Sequence, residues 1–293
     1  LNAVNSNVVG NDLHGHDLEG DNATLIKGGE GNVIENNTPP YEAEVIIDAP
    51  GAWIGHDAEI TVTVTNATDG NVTIKVNDKV YDDLALVNGS ATLVVPLADI
   101  AQDAINNVSV TYNGGSRVFS GAGETTFNVV NGLITNQTFF NYFAENGYLL
   151  SFVPEGATLD FQGSFISDNY TLYINKPVNV ISSTNDALFD SNTTNRKWIM
   201  FNVVKGANNT NITGINFLNA DLFIEAPYVT VDNINAVAKM QGVGSGTGFV
   251  VFRTDAAYGT IKNSYLENGG TGSSIIVFGY GAPYGTIDNN IIN

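Results

Sequence analysis

The sequence predicts an all-β protein, a right-handed parallel β-helix with an N-terminal capping helix, preceded by an immunoglobulin-like β-sandwich. Three observations predict it. Residues 250–263 and 276–289 match at a constant offset of 26, sharing Phe252/Phe278, Tyr258/Tyr284, Gly259/Gly285, Thr260/Thr286, Ile261/Ile287 and Asn263/Asn289. Residues 41–130 instead carry about seven short runs that alternate apolar and polar side chains. The chain also holds 39 Asn and 31 Gly among 293 residues, and both residue types serve tight corners between short strands.

A third copy of the repeat covers residues 226–233, and a weaker one 211–216. Units of 20–30 residues with two or three strand-like runs fit one coil of a parallel β-helix. In that winding Ile212, Val231, Ile261 and Ile287 form an inward aliphatic stack, and Asn233, Asn263 and Asn289 form a ladder at a corner. Gly214 breaks the ladder at its first coil. Residues 137–147 read as the capping helix, with Thr138 as N-cap, Phe139, Tyr142 and Phe143 on its apolar face and Gly147 as its stop. Such a cap would cover the open first coil, whose strands run near 159–161, 170–174 and 178–181.

The sandwich strands are expected at 44–47, 59–65, 72–76, 91–95, 108–112 and 125–129, with a weaker one at 79–81. Tyr112, on the penultimate strand, is a corner-tyrosine candidate. Residues 1–38 echo the end of the chain and read as the terminal coils of a preceding β-helix, joined through Thr38-Pro39-Pro40. The domains are therefore 1–38, 41–130 and 131–293, the last truncated at its C-terminal end because Asn293 falls inside the repeat. The chain reads as an internal fragment.

Eleven Lys and Arg against 30 Asp and Glu give a net charge of -19, which repels phosphate backbones and argues against nucleic acid as a partner. The absence of Cys removes thiol chemistry, and no run of 18 apolar residues marks a membrane span.

The sandwich, the cap segment Asn136-Gln-Thr-Phe-Phe-Asn-Tyr-Phe-Ala-Glu-Asn-Gly-Tyr148, Leu159-Asp-Phe-Gln-Gly163, Asn175-Lys-Pro-Val-Asn-Val-Ile181 and the Thr-Ile-x-Asn coils together resemble the adhesin-like cell-surface proteins of methanogenic archaea. That family interleaves Ig-like modules with right-handed, pectin-lyase-like β-helices. The resemblance implies extracellular display at the cell surface or cell wall and attachment, with no catalytic residue to carry over.

The same architecture hosts polysaccharide lyases and glycoside hydrolases, so an enzyme is the alternative expectation. Asp232, Lys262 and Asp288 follow the stacked aliphatics on successive coils. They read as a surface charge ladder rather than an inverting carboxylate pair, because Lys262 between them favours two ionised carboxylates. Tyr228, Tyr258 and Tyr284 recur at one coil position and read either as an exposed platform for a ligand or as rings that merely pack on one another. His14-Gly-His16-Asp17 lacks further ligands and makes a poor metal site. No metal and no cofactor is expected. Asn-x-Ser/Thr sequons begin at Asn22, Asn36, Asn66, Asn71, Asn88, Asn107, Asn136, Asn169, Asn192, Asn208 and Asn211. The functional expectation is a non-enzymatic attachment protein that binds glycans or proteins of another cell; the alternative is a polysaccharide-active module on the same scaffold.

Overall fold

A computed structural model describes residues 5, 7–9, 33–35, 41–102, 104–167, 170–191, 199–238, 250–269, 275–279 and 281–293. It is all-β, and the chain divides into two units, Leu1–Val129 and Val130–Asn293. His14, His16, Asp17, the Thr38-Pro39-Pro40 joint and the sequon residues Asn22, Asn36, Asn169 and Asn192 lie outside the described residues.

In the first unit, Asn7–Val9 pairs in parallel with Val33–Glu35, with Val8 opposite Ile34. Residues 41–130 form two sheets, antiparallel at the pairs among their longer strands. Val45–Asp48, Ala58–Val64 and Ser90–Val95 make one. Ala52–Trp53, Gly121–Val130, Ile105–Tyr112, Asn71–Val76 and Lys79–Ala85 make the other, in that order. Strict alternation puts Ile60, Val62, Val64, Ile74, Val76, Val108 and Val110 into one shared core, each contributing about 1.5–3 kcal/mol on burial. The weak strand at 79–81 is real and extends to Ala85, while the two-residue strand Ala52–Trp53 is too short for periodicity to reveal. Tyr112 is fully buried and its hydroxyl donates to Asp69 O at 3.0 Å. The ring lies so close to Gly115 that a Cβ there would collide with its hydroxyl.

In the second unit the chain visits three parallel sheets in turn. Thr158–Phe161, Asn179–Ile181, Asn211–Thr213, Thr230–Asp232, Thr260–Lys262 and Thr286–Asp288 stack in the first sheet, after Leu133–Ile134. Ser164–Ile166 leads the second sheet and Leu172–Ile174 the third. One passage through all three sheets is termed a rung. Register puts Ile212 opposite Val231, Val231 opposite Ile261 and Ile261 opposite Ile287, so the expected aliphatic column exists. Its first three members are fully buried, whereas Ile287 on the last rung is 52% exposed. Phe165, Phe189 and Phe217 stack in the second sheet at 5.0 and 5.8 Å between centroids.

The capping helix is not there. Leu133–Ile134 pairs as a strand with Thr158–Phe161, and residues 135–138 form a turn closed by Thr138 N donating to Thr135 O. A single 3₁₀ turn, Phe139–Asn141, follows. The Thr138 hydroxyl accepts from Thr135 N instead of capping a helix. The chain then doubles back through Gly147 at φ 86°, with Leu150 N bonded to Tyr142 O. One tight turn satisfies the spacing of Phe139, Tyr142 and Phe143 as well as a helix would. All three are still buried, and Phe143 stands 6.2 Å from Phe161 of the first full rung. Lys176 fastens this segment: its ammonium donates to Leu150 O, Ser151 O and Val153 O at 3.3, 2.9 and 2.8 Å. Burial pushes its pKa down, against the opposing pull of Glu155.

Candidate functional site

The repeat motif builds a periodic face on the last three rungs. Each copy enters the first sheet through a tyrosine in left-handed backbone conformation: Tyr228, Tyr258 and Tyr284 have φ of 60°, 59° and 63°. That conformation costs an L-residue about 1–2 kcal/mol, and it throws each ring outward before the strand begins. The rings stack face to face, 5.0 Å and 2° apart for Tyr228 and Tyr258, and 4.8 Å and 16° for Tyr258 and Tyr284. They are nevertheless 52%, 46% and 71% exposed. The rings pack on one another, as one of the two readings expects, and their exposed edges and hydroxyls form a ridge rather than a flat platform of ring faces. Ring faces within the ridge are taken by neighbours, so what it offers along its length is edges and hydroxyls, with a free ring face only at its ends.

Across the strands, a second row closes the face. Asn233, Asn263 and Asn289 occupy the corner leaving the first sheet at φ of 51°, 50° and 50°, a region Asn tolerates well. Asn289 Nδ2 donates to Asn263 Oδ1 at 2.8 Å, and Asn263 Nδ2 donates to Asp232 Oδ1 at 2.9 Å. Gly214 interrupts the amide row but not the bend, because its φ of 72° and its N–H bond to Asp232 O reproduce the corner. Asn235, Ser264 and Tyr265 complete an open trough of 540 Å³ beside this row. No local sequence pattern marks these three, because the trough joins side chains from separate rungs.

Between the rows, Asp232, Lys262 and Asp288 are in register on adjacent strands. Lys262 Nζ lies 3.4 Å from Asp232 Oδ2, and Asp232 also accepts from Asn263. The two carboxylates flank a cation at a spacing of two strands, about 10 Å, in an open setting. Among the described residues no cluster of three His, Asp or Glu side chains converges as for a metal ion, and no helix is long and apolar enough to cross a membrane.

No family model, curated protein or solved structure matches the chain.

The sequon asparagines are scattered over both units. Asn66, Asn88, Asn107, Asn136, Asn208 and Asn211 are exposed and Asn71 is half-buried. Two of these amides are engaged: Asn71 Nδ2 donates to Asp83 Oδ1 at 3.1 Å and Asn211 Nδ2 to Asn179 Oδ1 at 3.0 Å.

Proposed function

We propose that the chain is a non-enzymatic attachment module of an extracellular, adhesin-like cell-surface protein. In this reading Val130–Asn293 is a right-handed parallel β-helix, 41–130 is an immunoglobulin-like sandwich, and residues 1–38 belong to a further set of coils. The ligand is a neutral, repeating glycan on another cell or on a wall polymer. The observation that carries the proposal is the in-register repetition of Tyr228, Tyr258 and Tyr284 opposite Asn233, Asn263 and Asn289. A row of like groups about 4.8 Å apart meets a repeating polymer at several points, each weak, with their sum giving attachment. The amides and phenols donate and accept hydrogen bonds to hydroxyls without charge. The net charge of -19 disfavours polyanionic ligands.

The experiment is a panel of insoluble polysaccharides, neutral and acidic, incubated with the purified chain. The proposal expects retention on a neutral polymer, no release of reducing ends or unsaturated products, and loss of retention on Tyr258→Gly. Sustained product release abolished by Asp232→Asn or Asp288→Asn would replace it with the lyase or hydrolase reading.

A further inference from the structure

A cleft of 280 Å³ opens beside the turn at 135–138, remote in sequence from the tyrosine ridge, and is lined by Asn136, Phe139, Phe140, Phe165, Ile166 and Tyr170 among others. Its described lining carries no charged side chain. Phe140 and Ile166 are 62% and 59% exposed, so apolar surface lies open to water in a concave setting, which marks a place where something else packs. Phe140 meets Tyr170 edge-on at 6.0 Å, and Phe139 meets Tyr170 edge-on at 5.4 Å, giving the cleft fixed aromatic walls. Tyr170 is held in place by its hydroxyl bond to Ala144 O at 2.9 Å.

The residue at the rim of this cleft is the first residue of a sequon, Asn136-Gln137-Thr138. The turn closed between Thr135 and Thr138 holds Asn136 exposed. We propose that Asn136 carries an N-linked glycan whose first sugar lies in the aromatic cleft. The C–H faces of a pyranose cover the apolar walls, and its hydroxyls point to water. The tether supplies a high effective concentration, so a shallow cleft suffices to hold it. Asn136 is better placed than Asn71 or Asn211, because a sugar on either of those amides would disturb the hydrogen bond each donates.

The donor is a saccharide carried on a polyprenyl phosphate lipid, delivered by a separate transferase. The bond from sugar C1 to the phosphate oxygen breaks, the bond from C1 to Asn136 Nδ2 forms, and the amide proton leaves with the lipid phosphate. The Thr138 hydroxyl is engaged with Thr135 N and Leu133 O once the turn closes, so transfer precedes closure. The inference rests on the extracellular reading above, since such donors act outside the cytoplasm.

The test is secretion of the full chain from an N-glycosylating host, with that host's own oligosaccharide as probe. Peptide mass spectrometry should find Asn136 occupied. Proton NMR should show contacts between the first sugar and the Phe140 and Tyr170 rings, with upfield-shifted sugar protons. Enzymatic removal of the glycan should lower the melting temperature by a few degrees, and Phe140→Ser should abolish both the shifts and that difference while leaving occupancy intact. An unmodified Asn136 alongside occupied Asn66 or Asn88 would overturn the proposal, as would an occupied Asn136 whose sugar signals match free glycan. Polysaccharide retention, measured on the same preparation, separates the two readings: docking without retention sinks only the attachment reading, and retention with an undocked glycan sinks only this one.

Discussion

Tyr228 and Tyr258 stack at 5.0 Å with their planes 2° apart, 30 residues apart in sequence and on neighbouring rungs. Each ring pair of this kind adds about 0.5–1.5 kcal/mol, which offsets the left-handed backbone each tyrosine adopts. Tyr258→Gly gives up both stacks but relieves the backbone, because Gly adopts positive φ without a steric penalty. The expected net loss of stability is about 1 kcal/mol in urea unfolding, small beside the loss of polysaccharide retention. Equal losses in both would make the ridge a structural stack only.

Asn263 links Asp232 below to Asn289 above. Asn263→Ala removes both bonds and leaves a Cβ-bearing residue at φ 50°, and should cost about 2 kcal/mol. Asn263→Gly removes the same bonds without the backbone penalty and should cost about 1 kcal/mol. Chemical denaturation of the two variants checks the order; equal costs would mean that the amide ladder, not the backbone at the corner, sets the loss.

The corner is legible in the sequence because the same Tyr-Gly-Thr-Ile tetrapeptide, followed one residue later by Asn263 or Asn289, recurs at a fixed offset and sets one register: Ile261 falls opposite Ile287. The cap was not. Phe139, Tyr142 and Phe143 have helical spacing, yet a single 3₁₀ turn followed by a reversal at Gly147 buries the same three rings, and local periodicity cannot distinguish the two. The roles of Lys176 and of the aromatic cleft were equally hidden. Lys176 reaches carbonyls 23–26 residues away, and the cleft gathers walls from three separate segments. The sequence marks Tyr112 as a corner candidate, but its partner, Asp69 O, lies 43 residues upstream, beyond any local signal.

Lys176 offers a direct check of how the first rung is closed. Lys176→Met leaves three carbonyls of residues 150–153 without their donor and should cost about 2 kcal/mol, the scale of a charged hydrogen-bonded group. Lys176→Arg should recover part of it. Hydrogen exchange should report the loss first at Leu149 and Leu150, whose amides bond Tyr173 O and Tyr142 O.

Three of the described tyrosines set an alkaline limit, among them Tyr112, whose pKa is raised by burial and then by the charge of Asp69. Burial, with the hydrogen bond to Asp99 second, pushes Tyr81 up to about 12, and burial pushes Tyr170 up to about 12. Their folded pKa values exceed the unfolded value near 10, so the folded state holds these protons longer. The associated stability is complete below pH 10 and drains away as pH rises toward 12. Melting temperature should fall across that window, and Tyr81→Phe with Tyr170→Phe should flatten the fall.

The attachment reading stands or falls on whether binding is shared among rungs. Calorimetry with a length series of neutral oligosaccharides, drawn from whichever polymer retains the chain, addresses this directly. Three rungs span about 10 Å between their outer strands, so affinity should climb with each added sugar until the ligand bridges Tyr228 to Tyr284 and then level off, and Tyr258→Gly should erase the climb. An affinity that is already complete with one sugar, or that ignores Tyr258, would contradict the account.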